Sequence, residues 1–437
     1  MFFQKRSLKG IPQNEVDYVK NIWIINHYAT KLILNKEGRH YWFSKHLNEK
    51  GFRNTIFCAS TLHHRNENLI STKELYQLVD NPVQQVLINT NNYKKNDIHR
   101  ILNIINFYRN ILKSYKKVSQ DIGPPDIVYG SSAHPLTLLA GLKIAKYFNV
   151  PFISEVRDLW PESIVAYGIL SKRNPIIKLL YKLEKYIYYK SDQLIFTMPG
   201  ALKYLEEQKL MKDHGGEIEQ TKVNFVNNGV DLESFNELLR KYNYEDTNLD
   251  NNKKFNIVYT GSIKAANKHL WELIAAAKLL SKQNHNDIEF LIFGEGSEKE
   301  KLETYCLENN IGNIFFKGNV DYEYIPSILS KSNVNVLNCK PKDILRYGGS
   351  QNKLFQYLAS GKPIITAEDN EYSLVKKING GIAKAFKDEE ELSEAILALK
   401  NYTPEVNKEI KENLLNASKE YDYEILTDKL INIFEKA

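Results

Sequence analysis

The sequence predicts an α/β protein built from two Rossmann-like domains that face each other across a cleft. Short β-branched runs alternate with amphipathic helical stretches from one end of the chain to the other, the pattern of parallel sheets covered by helices. The alternation stops once, at the polar and unpatterned stretch NYEDTNLDNNKK, residues 243–254. The 437 residues also exceed what one ordinary hydrophobic core fills. The expected division is therefore a first domain at 1–242, a linker at 243–254, a second domain at 255–415, and a final helix within 416–437 that returns to the first domain.

In the first domain, strands are expected at 21–26 (NIWIIN), 55–60 (TIFCAS), 85–89 (QVLIN), 126–130 (DIVYG), 151–156 (PFISEV), 193–197 (QLIFT) and 223–228 (VNFVNN). Helices are expected between most of them, at 39–50, 98–117, 135–148 and 175–189. The second domain repeats the pattern with strands at 255–261 (FNIVYTG), 288–294 (IEFLIFG), 314–318 (IFFKG), 334–339 (VNVLNC), 362–366 (KPIIT) and 381–386 (GIAKAF). Ligands of open parallel sheets bind beyond the carboxyl ends of the strands, so the loops after these strands are where function is to be sought.

Composition narrows the class. A hydrophobic content of 43% with 26% charged residues is that of a soluble globular protein. Three well-separated cysteines, Cys58, Cys306 and Cys339, form no Cys-x-x-Cys pair, which argues against a disulfide framework or structural zinc and fits a reducing, cytoplasmic setting. No stretch reaches the ~18 uninterrupted apolar residues of a spanning helix, and the opening MFFQKRSLKG has no signal-peptide core, so the chain is expected to stay inside the cell. The net charge of +6 is uneven: seven Lys/Arg stand against one Asp at 91–120, and six against one Glu at 172–190, which leaves the remainder net acidic. The segment 174–190, NPIIKLLYKLEKYIYYK, interleaves Ile, Leu and Tyr with lysines. It reads as an interfacial helix that docks the first domain peripherally onto an anionic membrane surface, the inner face of the cell membrane. No nucleic-acid-binding motif accompanies the charge, so nucleic acid is not expected as a partner.

The chemistry-bearing motifs all follow predicted strands. GGSQNKLFQY, 348–357, holds no acid, histidine or nucleophile. Its glycines free the backbone, and Gly349, Ser350, Gln351 and Asn352 lead into a helix whose first turn carries Lys353, an arrangement suited to an anion. YTGSIKAANK, 259–268, places Gly261 at a strand end with Lys264 and Lys268 ahead of a helix starting near His269. Two basic, glycine-containing loops thus converge on one end of one sheet. FGEGSEKEKL and KGNVDYEYIP, with Gly294 and Val320, offer further backbone groups there. In the first domain SSAHPLTLLAG sets His134 at a strand end just before a helix, and SEVRDLWPES gathers Glu155, Arg157, Asp158 and Glu162 around Trp160 and Pro161. A glycosidase-like carboxylate pair is conceivable in that loop, but such an enzyme has no need of diphosphate loops across the cleft. KEGRHYW, after the first strand, carries one glycine. Gly-x-Gly-x-x-Gly, Gly-x-x-x-x-Gly-Lys-Ser/Thr and Asp-x-Asp are all absent, which disfavours a dinucleotide-dependent dehydrogenase, a nucleotide triphosphatase and a metal-holding nucleotide-sugar enzyme respectively.

Taken together, IWIINHYA, GRHYWFSKHLNEKGF, SSAHPL, SEVRDLWPES, NNGVD, YTGSI and NKLFQYLASGKPII resemble the GT-B glycosyltransferases of the retaining family-4 (group 1) type, and within them the bacterial N-acetylfucosamine-transferase-like branch. The resemblance spans nearly the whole chain. It implies a nucleotide-diphosphate sugar donor, UDP-linked and N-acetylated or deoxy, held mainly by the second domain. The first domain would hold a saccharide or polyprenyl-linked saccharide acceptor of capsule or O-antigen synthesis. It also implies transfer without metal ion or cofactor. Carried over by residue, Gly261, Lys264, Lys268 and Lys353, with the N–H groups of Ser350, Gln351 and Asn352 after Gly349, would face the donor diphosphate. Gly294, Val320 and Gln356 would serve the nucleoside, while His134, Arg157 and Asp158 would line the reaction centre. The family's pair of glutamates eight positions apart falls on Gly348 and Gln356, so both carboxylates are replaced here. Two other readings share the fold: a nucleotide-sugar 2-epimerase and a catalytically silent partner subunit.

Overall fold

The computed structural model describes residues 19–62, 67–95, 97–132, 134–264, 269–337 and 346–437; Lys268 and Cys339 lie outside the described residues. The first sheet is made of β1 (Asn21–Ile25), β2 (Arg53–Ala59), β3 (Tyr76–Asp80), β4 (Gln84–Ile88), β5 (Ile127–Ser132), β6 (Phe152–Val156), β7 (Gln193–Phe196) and β8 (Val223–Phe225), in the order β3-β4-β2-β1-β5-β6-β7-β8. The second is made of β9 (Phe255–Thr260), β10 (Ile288–Phe293), β11 (Ile314–Gly318), β12 (Val334–Val336), β13 (Ile364–Thr366) and β14 (Gly381–Ala383), in the order β11-β10-β9-β12-β13-β14. Helices cover both faces, so the central strands read as unbroken apolar runs: every residue of NIWII in β1 and of IEFLIF in β10 is buried.

The helices that bear on the site are α1 (Arg39–Glu49), α2 (Ile98–Ile122), α3 (Pro135–Phe148), α4 (Pro175–Lys190), α5 (Ala201–Glu207), α6 (Leu232–Lys241), α7 (Asn352–Ser360) and α8 (Tyr423–Glu435). Helix α8 packs on α1, and its Tyr423, Leu426, Leu430 and Phe434 share a core with Ile22, Ile24 and Tyr129 of the first sheet. A β-bridge between Val230 and Asp422 closes the same corner. The last helix thus covers the first sheet although the residues before it belong to the second domain.

Two features depart from the sequence expectation. The first is β3, which runs antiparallel to β4 at the sheet edge. Its residues YQLVD are half-buried or exposed, so no alternation of apolar and polar residues betrays it. The second concerns 243–254. Although polar and unpatterned, the stretch is lashed to the second domain by fixed partners: Lys317 Nζ lies 2.7 Å from Asp246 Oδ2, Lys331 Nζ lies 2.6 Å from Asp250 Oδ1, and Leu249 is buried against Val258 and Leu291. Its polarity serves turns and ion pairs, not a free tether.

Candidate active site

The second-domain side begins where β9 and β10 end. The Gly261 amide donates to the Phe293 carbonyl at 2.9 Å, and the Gly294 amide donates to the Gly318 carbonyl at 2.6 Å, so three glycines form a row at the carboxyl ends of β9, β10 and β11. Lys353, in the first turn of α7, extends into this row. Its Nζ stands 4.3 Å from the centre of the Tyr259 ring, and a Cβ added at Gly261 would stand 2.6 Å from it. Gly261 is therefore needed for the ammonium to approach the strand end. Lys264 is exposed in the same loop. Val320 is half-buried against the core cluster of Leu249, Val258, Leu291, Phe293 and Ile328. Gln356, one turn along α7, donates from Nε2 to Tyr322 Oη at 3.1 Å.

The loop before α7 is fixed from both domains. Gln351 is the N-cap residue, without a side-chain cap, and the first turn of α7 holds no acidic residue. The Gly349 amide donates to Glu368 Oε1 at 3.1 Å. Burial pushes the Glu368 carboxyl up, against the pull of that amide and of Asn370. From the first domain, the Asn228 amide donates to Ser350 Oγ at 2.9 Å and Asn228 Nδ2 to the Ser350 carbonyl at 2.5 Å, while Ser350 Oγ bonds Asn227 Oδ1.

The first-domain side rests on a buried carboxylate. Glu155, in β6, is wholly buried. Arg39 Nε donates to its Oε1 at 2.6 Å, Ser131 Oγ donates to its Oε2 at 2.7 Å, His40 Nε2 lies 3.0 Å from Oε2, and Tyr129 Oη bonds Oε1. Burial works to raise this carboxyl, but Arg39, His40 and Arg157 together hold it well below the usual carboxylate range. Burial in turn keeps His40 below its ordinary value, so its imidazole stays neutral near pH 7. Arg39 also donates to the carbonyls of Val226 and Asn227. Glu155 is thus a structural anchor that aims the start of α1 and the 227–228 turn, and it is not a free acid.

Between the two sides lies a cavity of about 450 Å³, lined by Glu37, Gly38, Arg39, His40, Tyr41, Arg157, Asp158, Tyr167, Asn228 and residues 348–352, among others. The N-terminus of α1, capped by Gly38 and likewise without an acid in its first turn, and the N-terminus of α7 both open into it. Unsatisfied amides and the positive ends of two helix dipoles therefore line opposite walls. Two carboxyls also face the space. Burial raises Asp158 against the pull of Arg157; burial likewise raises Glu37 against Asn35 and Lys31, with Glu323 adding to the rise.

Of the residues expected at the site, Arg157, Asp158, Gly349, Ser350, Gln351 and Asn352 line this cavity. Gly261, Gly294 and Lys353 come together at the ends of β9 and β10, and Lys264, Val320 and Gln356 do not line the cavity. His134 stands apart from the cavity. Pro135 starts α3, and the preceding extended residue turns its ring inward, where it is 2% exposed and bonds His27 Nδ1 at 2.6 Å through Nε2. Burial, with Arg100 nearby, lowers its pKa to about 3. A neutral, enclosed imidazole at this position packs the sheet end instead of lining the reaction centre. Glu162 is also withdrawn, bonded by Tyr181 and paired with Lys172 at 3.2 Å. Sequence reasoning passed over the start of α1 and Asn228. The signal for the first was present in KEGRHYW, a glycine followed by a helical turn without acids.

Comparison with known proteins agrees with this geometry. Residues 254–401 match the family model described as "Glycosyl transferases group 1". No curated sequence matches the chain. In structure the chain is similar to Anabaena Alr3699/HepE in complex with UDP and glucose (TM-score 0.61, 10% identity, 96% of this chain and 100% of that one). It is also similar to an E. coli trehalose-6-phosphate structure bound with UDP-2-fluoro glucose (TM-score 0.69, 11% identity, 96% and 99%). A third likeness is to WaaG, a glycosyltransferase involved in lipopolysaccharide biosynthesis (TM-score 0.62, 13% identity, 94% and 99%). At such identities the structural likeness establishes the fold, and the family match is confined to the second domain. The chain has the GT-B fold, and its second domain matches a glycosyltransferase family over residues 254–401.

Proposed function

We propose that the protein transfers a sugar from a UDP-linked donor, N-acetylated or deoxy, to a saccharide or lipid-linked saccharide acceptor in surface polysaccharide synthesis (capsule or O-antigen), retaining configuration and using no metal ion. The observation that carries this reading is the cavity between the domains into which two acid-free helix N-termini open, with Lys353 beside it. Such a space favours a diphosphate, whose charge grows as the bond between its oxygen and the anomeric carbon of the sugar breaks. In the proposed reaction the amides of Ser350, Gln351 and Asn352, with Lys353, stabilise that leaving group. The acceptor hydroxyl attacks from the Arg157–Asp158 side, and its proton passes to an oxygen of the departing diphosphate. His40, the histidine among the described lining residues, is engaged by Asn26 and Glu155, which supports this route. That the structural relatives include complexes with UDP and with UDP-2-fluoro glucose supports the choice of nucleotide. Incubation with a panel of nucleotide sugars tests it: slow hydrolysis of one UDP-sugar, with the anomer of the product read by NMR, is expected. Turnover of none of them, or an inverted anomer on a natural acceptor, removes the corresponding part of the proposal.

The acceptor side brings in the membrane. Helix α4 buries Ile177, Ile187 and Tyr188 but leaves Ile176, Leu179 and Tyr186 between 50% and 65% exposed, with Lys178, Lys182 and Lys185 among them. No helix among the described residues is long and apolar enough to cross a membrane. An apolar outer stripe with lysines beside it fits the surface of an anionic bilayer, where each lysine contributes about 1 kcal/mol. Co-sedimentation with anionic vesicles is the expected outcome, abolished when Lys178, Lys182, Lys185 and Lys190 are neutralised together. Binding that survives the neutralisation, or never occurs, overturns the docking surface.

A further inference from the structure

Tyr347 precedes the 348–352 loop and is separated in sequence from the first domain by the whole of β9 to β12, yet it is 0% exposed within the first domain's core, among Phe196, Met198, Ala201, Tyr204 and Leu205. Its ring meets Tyr204 edge-on at 5.4 Å. Its hydroxyl donates to Glu207 Oε2 at 2.5 Å, and Arg346 reaches the same oxygen at 2.7 Å. The backbone is engaged as well. The Gly200 amide donates to the Tyr347 carbonyl at 2.8 Å, and the two chains run so close that a Cβ at Gly200 would stand 2.6 Å from Tyr347 Cα. Three residues farther on, Ser350 is bonded to Asn227 and Asn228.

We propose that Tyr347 is a positioning residue that seats the 348–352 loop on the first domain, so that the donor-binding wall is completed only while the two domains are held together. This rests on the reading of that loop as the holder of the donor diphosphate. Two covalent crossings join the domains, one between α6 and β9 and one ahead of α8. Tyr347, together with the bonds of Ser350 to Asn227 and Asn228, adds a connection that is not covalent and lies next to the cleft. Any opening of the cleft must either withdraw a fully buried tyrosine from an apolar core or bend the loop between Tyr347 and α7. Either movement carries the amides of Ser350 and Gln351 out of register with Lys353, which stays with the second sheet. Nucleotide affinity and closure are therefore set by the same residue, and the free protein rests closed. This restricts the large hinge motion that a loose linker at 243–254 would allow, in keeping with the fixed partners of that stretch.

Small-angle scattering and UDP calorimetry on the full chain test the proposal. Wild type is expected to show a radius of gyration that changes little on adding UDP. Tyr347→Ala is expected to scatter as a more open particle, to bind UDP about tenfold more weakly if the closed fraction falls to about a tenth, and to close again at saturating UDP. Tyr347→Phe keeps the ring and the Gly200 bond and should restore wild-type scattering and affinity, which a loss of general stability would not explain if the melting temperatures of the two variants are matched by choice of conditions. Unchanged scattering and unchanged UDP affinity in Tyr347→Ala overturn the proposal. If Tyr347→Ala does not fold, hydrogen exchange in the wild type decides: the Gly200 amide is expected to be as protected as those of β7, and rapid exchange there overturns the tether. Failure of the donor reading looks different. If wild type binds no UDP, or binds it equally well after Lys353→Ala, the diphosphate assignment falls while the scattering and exchange results still stand.

Discussion

The two walls of the cleft are made rigid by different means. On the first-domain wall, side chains are held by charge: Glu155 is buried with Arg39, His40, Tyr129 and Ser131 around it. On the second-domain wall it is the backbone that is held, by the glycine row at 261, 294 and 318 and by the Gly349 amide on Glu368. A buried charge cluster keeps its geometry only while every partner is present, since removing one leaves the others desolvated and unpaired. A glycine row depends on close approach and tolerates change in the side chains around it. The first wall should therefore fail through loss of folding, and the second through loss of turnover.

The largest expected effect is on the first wall. Glu155→Ala leaves Arg39 buried without its carboxylate and should cost about 3–5 kcal/mol of stability, measured by urea denaturation. A loss below about 1 kcal/mol would mean that water or another group takes over the charge, and the contrast between the walls would collapse. On the second wall, Lys353→Ala should leave the denaturation midpoint nearly unchanged while lowering turnover on the identified donor by on the order of a hundredfold, as for removal of one electrostatic stabiliser of a leaving group. Near-normal turnover in that variant would end the phosphate assignment of the 348–357 stretch.

A smaller effect sharpens the picture of the first domain. Glu184 in α4 is buried, bonded by Tyr204 Oη at 2.8 Å, and burial raises it to about 8 despite the opposing bonds from Tyr204 and Tyr188. With the folded value above the unfolded one, its contribution to stability is fully present below pH 4.5 and is lost as pH rises through about 8. Glu184→Gln removes the titration. Its melting temperature, relative to wild type, should therefore climb between pH 5 and pH 9 in a differential scanning series. A difference that stays flat with pH would show that the carboxyl is ionised at neutral pH and paired by other means. Smallest is the change at Gln356. Since an amide can both donate to and accept from a ribose diol, Gln356→Ala should raise the KM for the donor severalfold with kcat little altered, and Gln356→Glu should keep or improve donor binding. A fall in kcat alone for Gln356→Ala would move this residue from binding to chemistry.

Local signals made some elements legible to the residue. Helix α3 spans Pro135–Phe148, where the sequence predicts it, because Pro135 supplies a preset first-turn backbone and Asn149 closes the helix in the left-handed conformation at φ 55°. Strand β11 has its expected bounds because Gly318, at φ 74°, ends it. The helix start in GGSQNKLF was readable in the same way, from the glycines and cap-type residues ahead of Asn352, where α7 begins. His134 was misread for a reason that a sequence does not carry: a histidine at a strand end can turn outward to a cleft or inward to a core, and here the His27 bond and the packing behind it turn the ring inward. The same holds for Glu155, one of four ionisable residues in SEVRDLWPES, which the burial of β6 on both faces and the arrival of Arg39 from α1 remove from the solvent.

What the sequence by itself determined is what neighbouring residues decide among themselves: two series of strands and helices, the break between them, the basic glycine-containing loops at the strand ends, and the amphipathic charge of α4. Backbone preference, capping and hydrophobic period act over a few residues and leave a local trace. The tertiary structure alone decided which of those loops share a cavity, that Glu155 is an anchor, and that Tyr347 is rooted in the domain to which its neighbours in sequence do not belong. Those outcomes depend on contacts between residues more than a hundred positions apart, such as Arg39 with Glu155 and Tyr347 with Gly200. No local pattern encodes them, because either partner would have the same local conformation with or without the other.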